Sequence, residues 1–223
     1  MSNENKGEFT VMIADELFVL PVSRRSELYT KHFLGLKFGS IKFVVGAIRK
    51  DEDGDTRFSP LNSDVTNAIG MDKDKIMKAA IDHMMEIAPL DVLDIMDAID
   101  SLIPAEQAQI PVHEEMFEKM IIVTNKNRKY GSVSMLYPGA LKNVSDTHFG
   151  GKGFYILPSS LHEVICVPDD GTMCAEAMQM MVIDINRCVV DPEDYMSDQV
   201  YYYNPVHDDV SVGDDIKWQM ESL

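Results

Sequence analysis

The segment Ser159-Ser160-Leu161-His162-Glu163 gathers a nucleophile, a base and a carboxylate within five residues. Those are the residue types of a small hydrolase or transferase. The chemistry needs the base within hydrogen-bond reach of the nucleophile and a pocket of donors for developing negative charge. If the segment runs as a strand, Ser160 and His162 share a face with Cα atoms roughly 6.5–7 Å apart, and Glu163 lies on the opposite face. The catalytic candidates are then Ser160 and His162, without a carboxylate to orient the ring. No G-x-S-x-G elbow surrounds them. The competing reading makes Pro158-Ser159-Ser160 a turn whose hydroxyls bind backbone groups, tethered by His162.

Other constellations fall short of a site. Asp51, Asp53 and Asp55 imitate the start of a calcium loop, but Thr56 stands where glycine is needed and Asn62 where a glutamate should be. Gly150-Gly151-Lys152-Gly153 lacks the hydroxyl residue of a phosphate loop and precedes a strand pattern. The six histidines are scattered, with no zinc spacing, and the three cysteines have no C-x-x-C pair. No metal and no cofactor is expected. The cysteine usage suits a reducing, cytoplasmic setting. No apolar run approaches the roughly 20 residues of a membrane span, and no secretory signal opens the sequence.

Charge is the strongest compositional feature. The 223-residue chain has a formal net charge of −17. Residues 82–118 hold ten acidic side chains and no Lys or Arg, and residues 169–223 hold thirteen against Arg187 and Lys217. Such a field opposes direct nucleic-acid binding and favours a basic protein partner. Asp91, Asp94, Asp97 and Asp100, spaced by three, would line one side of a helix over 90–102 like a row of phosphates. With Asp191, Glu193, Asp194 and Asp198 they are the candidate partner-binding residues. The small basic turn Lys126-Asn127-Arg128-Lys129-Tyr130 has no second basic cluster beside it in sequence. The sixteen methionines suit adaptable core filling, with only Met85 and Met180 placed off the apolar faces.

The elements that must position these residues read as α+β, a mixed, mainly antiparallel sheet covered by helices. Strands are predicted within 9–22, over Lys42–Arg49 and from Thr56, the last two joined by the Asp53-Gly54 hairpin signal. Ser23 or Ser26 caps a short helix. Asp72–Ala88 is a helix with Ile76, Ala80, Met84 and Ile87 on one face. A second helix is predicted over Leu90–Leu102, and strands over Met120–Asn125 and Val133–Leu136. A short helix follows at Pro138–Val144, then strands at Phe154–Leu157 and His162–Val167. A helix over Cys174–Asn186 and a strand at Val200–Tyr203 follow. Residues 1–203 are expected to be a single domain, or two lobes at 1–118 and 119–203, with 204–223 as a loose acidic tail that Trp218 anchors.

Several stretches resemble a bacterial family known as domain of unknown function 5688. They are Thr124-Asn125-Lys126, the run Met135-Leu136-Tyr137-Pro138-Gly139-Ala140-Leu141-Lys142 and the run Ile156-Leu157-Pro158-Ser159-Ser160-Leu161-His162-Glu163-Val164-Ile165. Asp191-Pro192-Glu193 and Ser197-Asp198-Gln199-Val200-Tyr201-Tyr202-Tyr203 complete the set. The resemblance is strongest over 119–203 and extends back to about residue 17. It implies no activity and no catalytic residue. It implies a mobile-element setting beside anti-restriction genes. The expected function is a non-enzymatic acidic interaction module that mimics nucleic acid and blocks a nuclease or other nucleic-acid-binding defence protein. The alternatives are a small hydrolase or transferase using the Ser160/His162 region, and a ligand-sensing domain with a Met-lined pocket.

Overall fold

The computed structural model describes residues 16–50, 56–62, 64, 66, 70, 72–97, 119–158, 160–171, 175–188, 190–212 and 216–219. The chain divides into two compact units, one over 1–89 with the last three residues and one over 90–220. The fold is α+β, and every strand pairing among the described residues is antiparallel.

The first unit is built around one long strand. β1 (Leu17–Ser23), β2 (Gly35–Phe38), β3 (Ile41–Lys50) and β4 (Thr56–Pro60) form a four-stranded sheet. β3 pairs with β1 along one edge, while β2 takes its Ile41–Val44 half and β4 its Gly46–Lys50 half on the other. Residues 41–47 of β3 are buried without a break, which is what a strand covered on both faces requires. Lys42 is the polar exception in that run. Between β1 and β2, Ser26 caps a 3-10 turn at Glu27–Tyr29 by accepting the Leu28 N–H. α1 (Lys73–Ile87) starts at the N-cap Asp72 and buries Ile76, Ala80, Ile81 and Met84, packing against β1. Ile87 falls off the buried face and is exposed.

The second unit holds a seven-stranded sheet in the order β11-β10-β9-β7-β8-β6-β5. Its strands are β5 (Leu90–Asp94), β6 (Ile121–Asn125), β7 (Phe154–Leu157), β8 (Val164–Pro168), β9 (Tyr201–Asn204), β10 (Asp209–Val212) and β11 (Ile216–Gln219). Alternation sorts the side chains. Leu157, Val167, Tyr155 and Ile165 meet Met178 and Val182 of α3 (Ala175–Cys188). Phe154, Ile156, Val164, Cys166, Tyr201 and Tyr203 are buried at the alternate positions. There Phe149, just after α2 (Ala140–His148), packs on Phe154, and Phe154 on Tyr203. Burial pushes the Cys166 thiol up, so it is an inert core group.

Three sequence expectations are corrected. Leu90–Asp94 is an edge strand, where the apolar spacing predicts a helix over 90–102. Five residues pair with Ile121–Asn125, and helical backbone begins only at Ile95, where the Asp94 carboxylate caps the Met96 N–H at 2.8 Å. Pairing with β6 overrides local propensity there. Val133–Leu136 belongs to a buried 3-10 turn, Gly131–Leu136, because Ser132 is held by the Leu161 carbonyl and Tyr130 enters the turn in a left-handed conformation. Residues 209–212 and 216–219 are strands of the sheet, where the acidic composition predicts a loose tail. Val210 and Val212 alternate inward, and Tyr203 donates a 2.6 Å hydrogen bond to Asp208 at the turn.

Candidate functional site

Three irregular segments of the second unit meet at His162: the turn 126–132 after β6, the connector 158–163 between β7 and β8, and the loop 190–198 after α3. Each is shaped locally first. Asn125 folds the turn by accepting the Asn127 N–H on its side chain and donating to the Lys129 carbonyl. Arg128 and Tyr130 both take left-handed φ, near 54° and 53°. Gly131 follows because a Cβ there would strike the Thr124 hydroxyl and the His162 carbonyl. In the third segment the Asp194 N–H closes a turn on the Asp191 carbonyl at 2.9 Å, with Pro192 at the corner position that suits its fixed φ. Pro192 and Glu193 therefore project outward and are exposed.

The connector is then sewn to both neighbours. Toward the turn, Thr124 Oγ1 donates to the His162 carbonyl (2.8 Å) and Ser132 Oγ donates to the Leu161 carbonyl (2.8 Å). Toward the acidic loop, the Leu161 N–H donates to the Asp194 carbonyl (2.8 Å) and the Ser197 N–H to the Pro158 carbonyl (3.1 Å). The imidazole completes the crossing. Its Nδ1 accepts the Tyr130 N–H at 3.1 Å, so Nε2 carries the proton and donates to Asp194 Oδ1 at 3.1 Å. The Tyr130 ring lies 5.7 Å from the imidazole, tilted.

This geometry does not prepare Ser160 for attack. Ser160 Oγ accepts the backbone N–H of His162 at 2.9 Å, and both ring nitrogens are committed to Tyr130 and Asp194. A general base needs a nitrogen free to reach the proton it takes. Ser159 lies outside the described residues. Glu163 also departs from the strand expectation, because the chain bends at Leu161 and His162, Ser160 makes an isolated bridge to Tyr195, and the Glu163 carboxyl lies beside the Ser160 hydroxyl. Burial raises the Glu163 carboxyl above the usual range, partly offset by the Ser160 hydrogen bond and by His162 and Arg128, while Asp194 adds to the rise.

The acidic candidates separate by environment. Asp91 sits opposite the basic turn, 2.9 Å from Arg128 and 3.7 Å from Lys126, so its charge is met within the chain. Asp94 caps a helical turn, Asp194 holds His162, and Asp198 accepts from Asn186 Nδ2 at 2.7 Å. Asp97, Asp191 and Glu193 are exposed. Asp100 lies outside the described residues, as do Asp51–Asp55. The expected single row of carboxylates on one helix is not formed, since Asp91 and Asp94 are three positions apart on a strand and point to opposite faces. Met85 and Met180 are exposed, as their off-face positions require.

Thr124 and Ser132 are parts of this crossing that the sequence does not single out, Tyr130 enters from sequence only as the end of the basic turn, and Asp194 as a partner carboxylate and not as the anchor of His162. Gly131 is the one local signal for the close approach. Among the described residues no group of three His, Cys, Asp or Glu side chains is placed to hold a metal ion, and no helix is long and apolar enough to cross a membrane. No curated protein matches the chain, and no solved structure matches it. One family does match, over residues 40–205, which takes in every strand from β3 to β9 and all three segments that meet at His162. The chain belongs to that family, the family of unknown function DUF5688.

Proposed function

We propose that the protein is a non-enzymatic interaction module that offers the acidic loop 190–198 to a basic protein partner. One observation carries this reading. The loop exposes Asp191 and Glu193 while its backbone is fixed by Leu161, Ser197 and the His162–Asp194 pair. A loop ordered in advance loses little conformational entropy on binding. The field around it supports the same reading. Residues 90–220 hold 22 acidic and 8 basic side chains, a net of −14, against 15 acidic and 12 basic in the rest of the chain. Such a unit attracts cationic surfaces and speeds encounter with them. Asp91 contributes little to that field, because Arg128 and Lys126 neutralise it locally. The finer form of the proposal makes the partner a nuclease or other defence protein whose nucleic-acid groove the carboxylates occupy. It rests on the charge and on the mobile-element setting that the family resemblance implies.

The test is a parallel capture with the wild-type chain and an Asp191→Asn/Glu193→Gln double variant as baits, washed at low and high salt. Basic proteins held by the wild type, lost from the double variant and lost at high salt are the expected result. A partner held equally by both baits, or insensitive to salt, would sink the proposal.

A further inference from the structure

We infer that the first unit carries a binding site for a small phosphorylated anion, in a cavity of about 310 Å³ walled by Lys31, Lys37, Lys42 and Lys73 together with Tyr29 and Phe33. The inference goes beyond the interaction surface proposed above and rests on different residues.

Four lysines line one cavity, and among the described residues no carboxylate lines it. In a chain of net charge −17 that is a local inversion of sign. Elsewhere four lysines are matched, while among the described residues Lys75, Lys129 and Lys152 are not. Lys78, Lys119, Lys126 and Lys142 each lie within 4 Å of an aspartate. Among the described residues, Lys31, Lys37, Lys42 and Lys73 form no such pair. Like charges gathered without a counter-ion repel, and an anion seated among them would relieve the repulsion.

Lys42 makes the arrangement a built one. It lies on β3 with only 4 % of its surface exposed. Its Nζ donates to the Thr30 carbonyl at 2.5 Å and the Phe33 carbonyl at 2.7 Å. An ammonium has three hydrogens, so one remains beyond those two bonds. Burial, and then the Lys37 charge, lowers its basicity, the direction a bound anion would reverse. Bracing the 30–33 segment explains the two carbonyl bonds. It does not explain why Lys31, Lys37 and Lys73, which are exposed, line the same cavity. Lys73 opens α1, whose N-terminal amides add positive potential, although Asp72 and Asp74 on the same turn offset part of it.

The chemistry selects the ligand class. Lysines bind phosphate as mobile point charges, whereas planar carboxylates are served best by arginine forks, and among the described residues no arginine lines this cavity. The volume lies at the small end of ligand sites and leaves room for an organic group beside a phosphate. Tyr29 and Phe33 supply aromatic wall for that group, with Lys37 Nζ 5.3 Å from the Tyr29 ring centre.

The test uses calorimetric titration of the full chain with inorganic phosphate, AMP and adenosine. The wild type should bind inorganic phosphate and bind AMP more tightly, with adenosine inert. Lys31→Ala/Lys37→Ala alters exposed residues, so folding should survive, as circular dichroism would show, and the double variant should lose roughly tenfold or more in AMP affinity. Lys42→Met, if folded, should lose more. No heat with phosphate or AMP up to about 10 mM overturns the inference, as does AMP binding of equal strength in wild type and double variant, or adenosine binding as tightly as AMP.

Discussion

At the scale of single residues, position 131 carries the clearest consequence. The atoms that a Cβ would meet include a main-chain carbonyl, which cannot swing aside as a side chain can. Gly131→Ala should therefore destabilise the second unit by about 1–3 kcal/mol, read as a lower urea midpoint at unchanged slope. Glu163 gives a pH-dependent prediction. Its carboxyl is raised in the folded state, so the folded chain holds that proton more tightly than the unfolded chain. Stability tied to this group is complete below the unfolded value and is lost as pH rises through the folded one. Glu163→Gln, which stays uncharged, should melt higher than wild type at pH 7, with the gap closing as pH falls toward the ordinary glutamate range. A gap independent of pH would contradict burial as the cause. The residue scale is also where the sequence is least legible. Ser160, His162 and Glu163 are adjacent in the chain, and adjacency suggests a catalytic set. The partners that decide the matter, the Tyr130 amide and Asp194, lie 32 residues away on either side.

At the scale of elements, legibility follows the strength of local patterning. α1 announces itself through apolar periodicity and β3 through a continuous apolar run, and the Asp53-Gly54 signal correctly pairs β3 with β4. β5 does not. Val92, Ile95 and Met96 fit a helical stripe as well as a strand, and only a partner strand some thirty residues later decides between them. Residues 209–212 were readable from the Val-Ser-Val alternation, but acidic neighbours mask it. The crossing at His162 is itself an element-scale device, since one side chain joins the turn 126–132 to the loop 190–198. The His162–Asp194 hydrogen bond is half-exposed, with side chains 27 % and 40 % accessible, so by itself it is worth about 1 kcal/mol. Its weight lies in satisfying the Tyr130 amide and fixing the loop. His162→Ala should cost about 1–3 kcal/mol by leaving that amide and Asp194 without their partner. Amide exchange should speed up in 190–198 more than in β9. His162→Asn, whose side-chain oxygen can replace Nδ1, should recover part of the stability but not the contact with Asp194. Equal exchange in wild type and His162→Ala would show that the backbone bonds alone order the loop.

At the scale of the whole molecule, composition alone shows a strongly acidic chain but not where the acid acts. Division at residue 89 assigns most of the net negative charge to the second unit, and the described ion pairs then remove Asp91, Asp146 and Asp170 from the free supply. Asp97, Glu176, Asp184, Asp191, Glu193 and Asp208 stay exposed, and the proposal singles out Asp191 and Glu193 because they stand at the corner of an ordered loop. This differs from a long phosphate-like row. It predicts binding that depends on loop order as much as on charge. Double replacement of Asp191 and Glu193 by their amides should lower both the affinity and its slope against salt. Releasing the loop should lower the affinity alone.

The central claim is that the acidic loop is a recognition surface because it is held in place. The measurement that bears on it most directly is the affinity of a captured basic partner for wild type and for His162→Ala, across a salt series, with both chains shown to be folded. His162→Ala keeps Asp191 and Glu193 and loses the anchor. The account predicts weaker binding by roughly three- to tenfold, the cost of ordering a few side chains and a short loop, with the salt slope unchanged. Equal affinity in the two chains would contradict it.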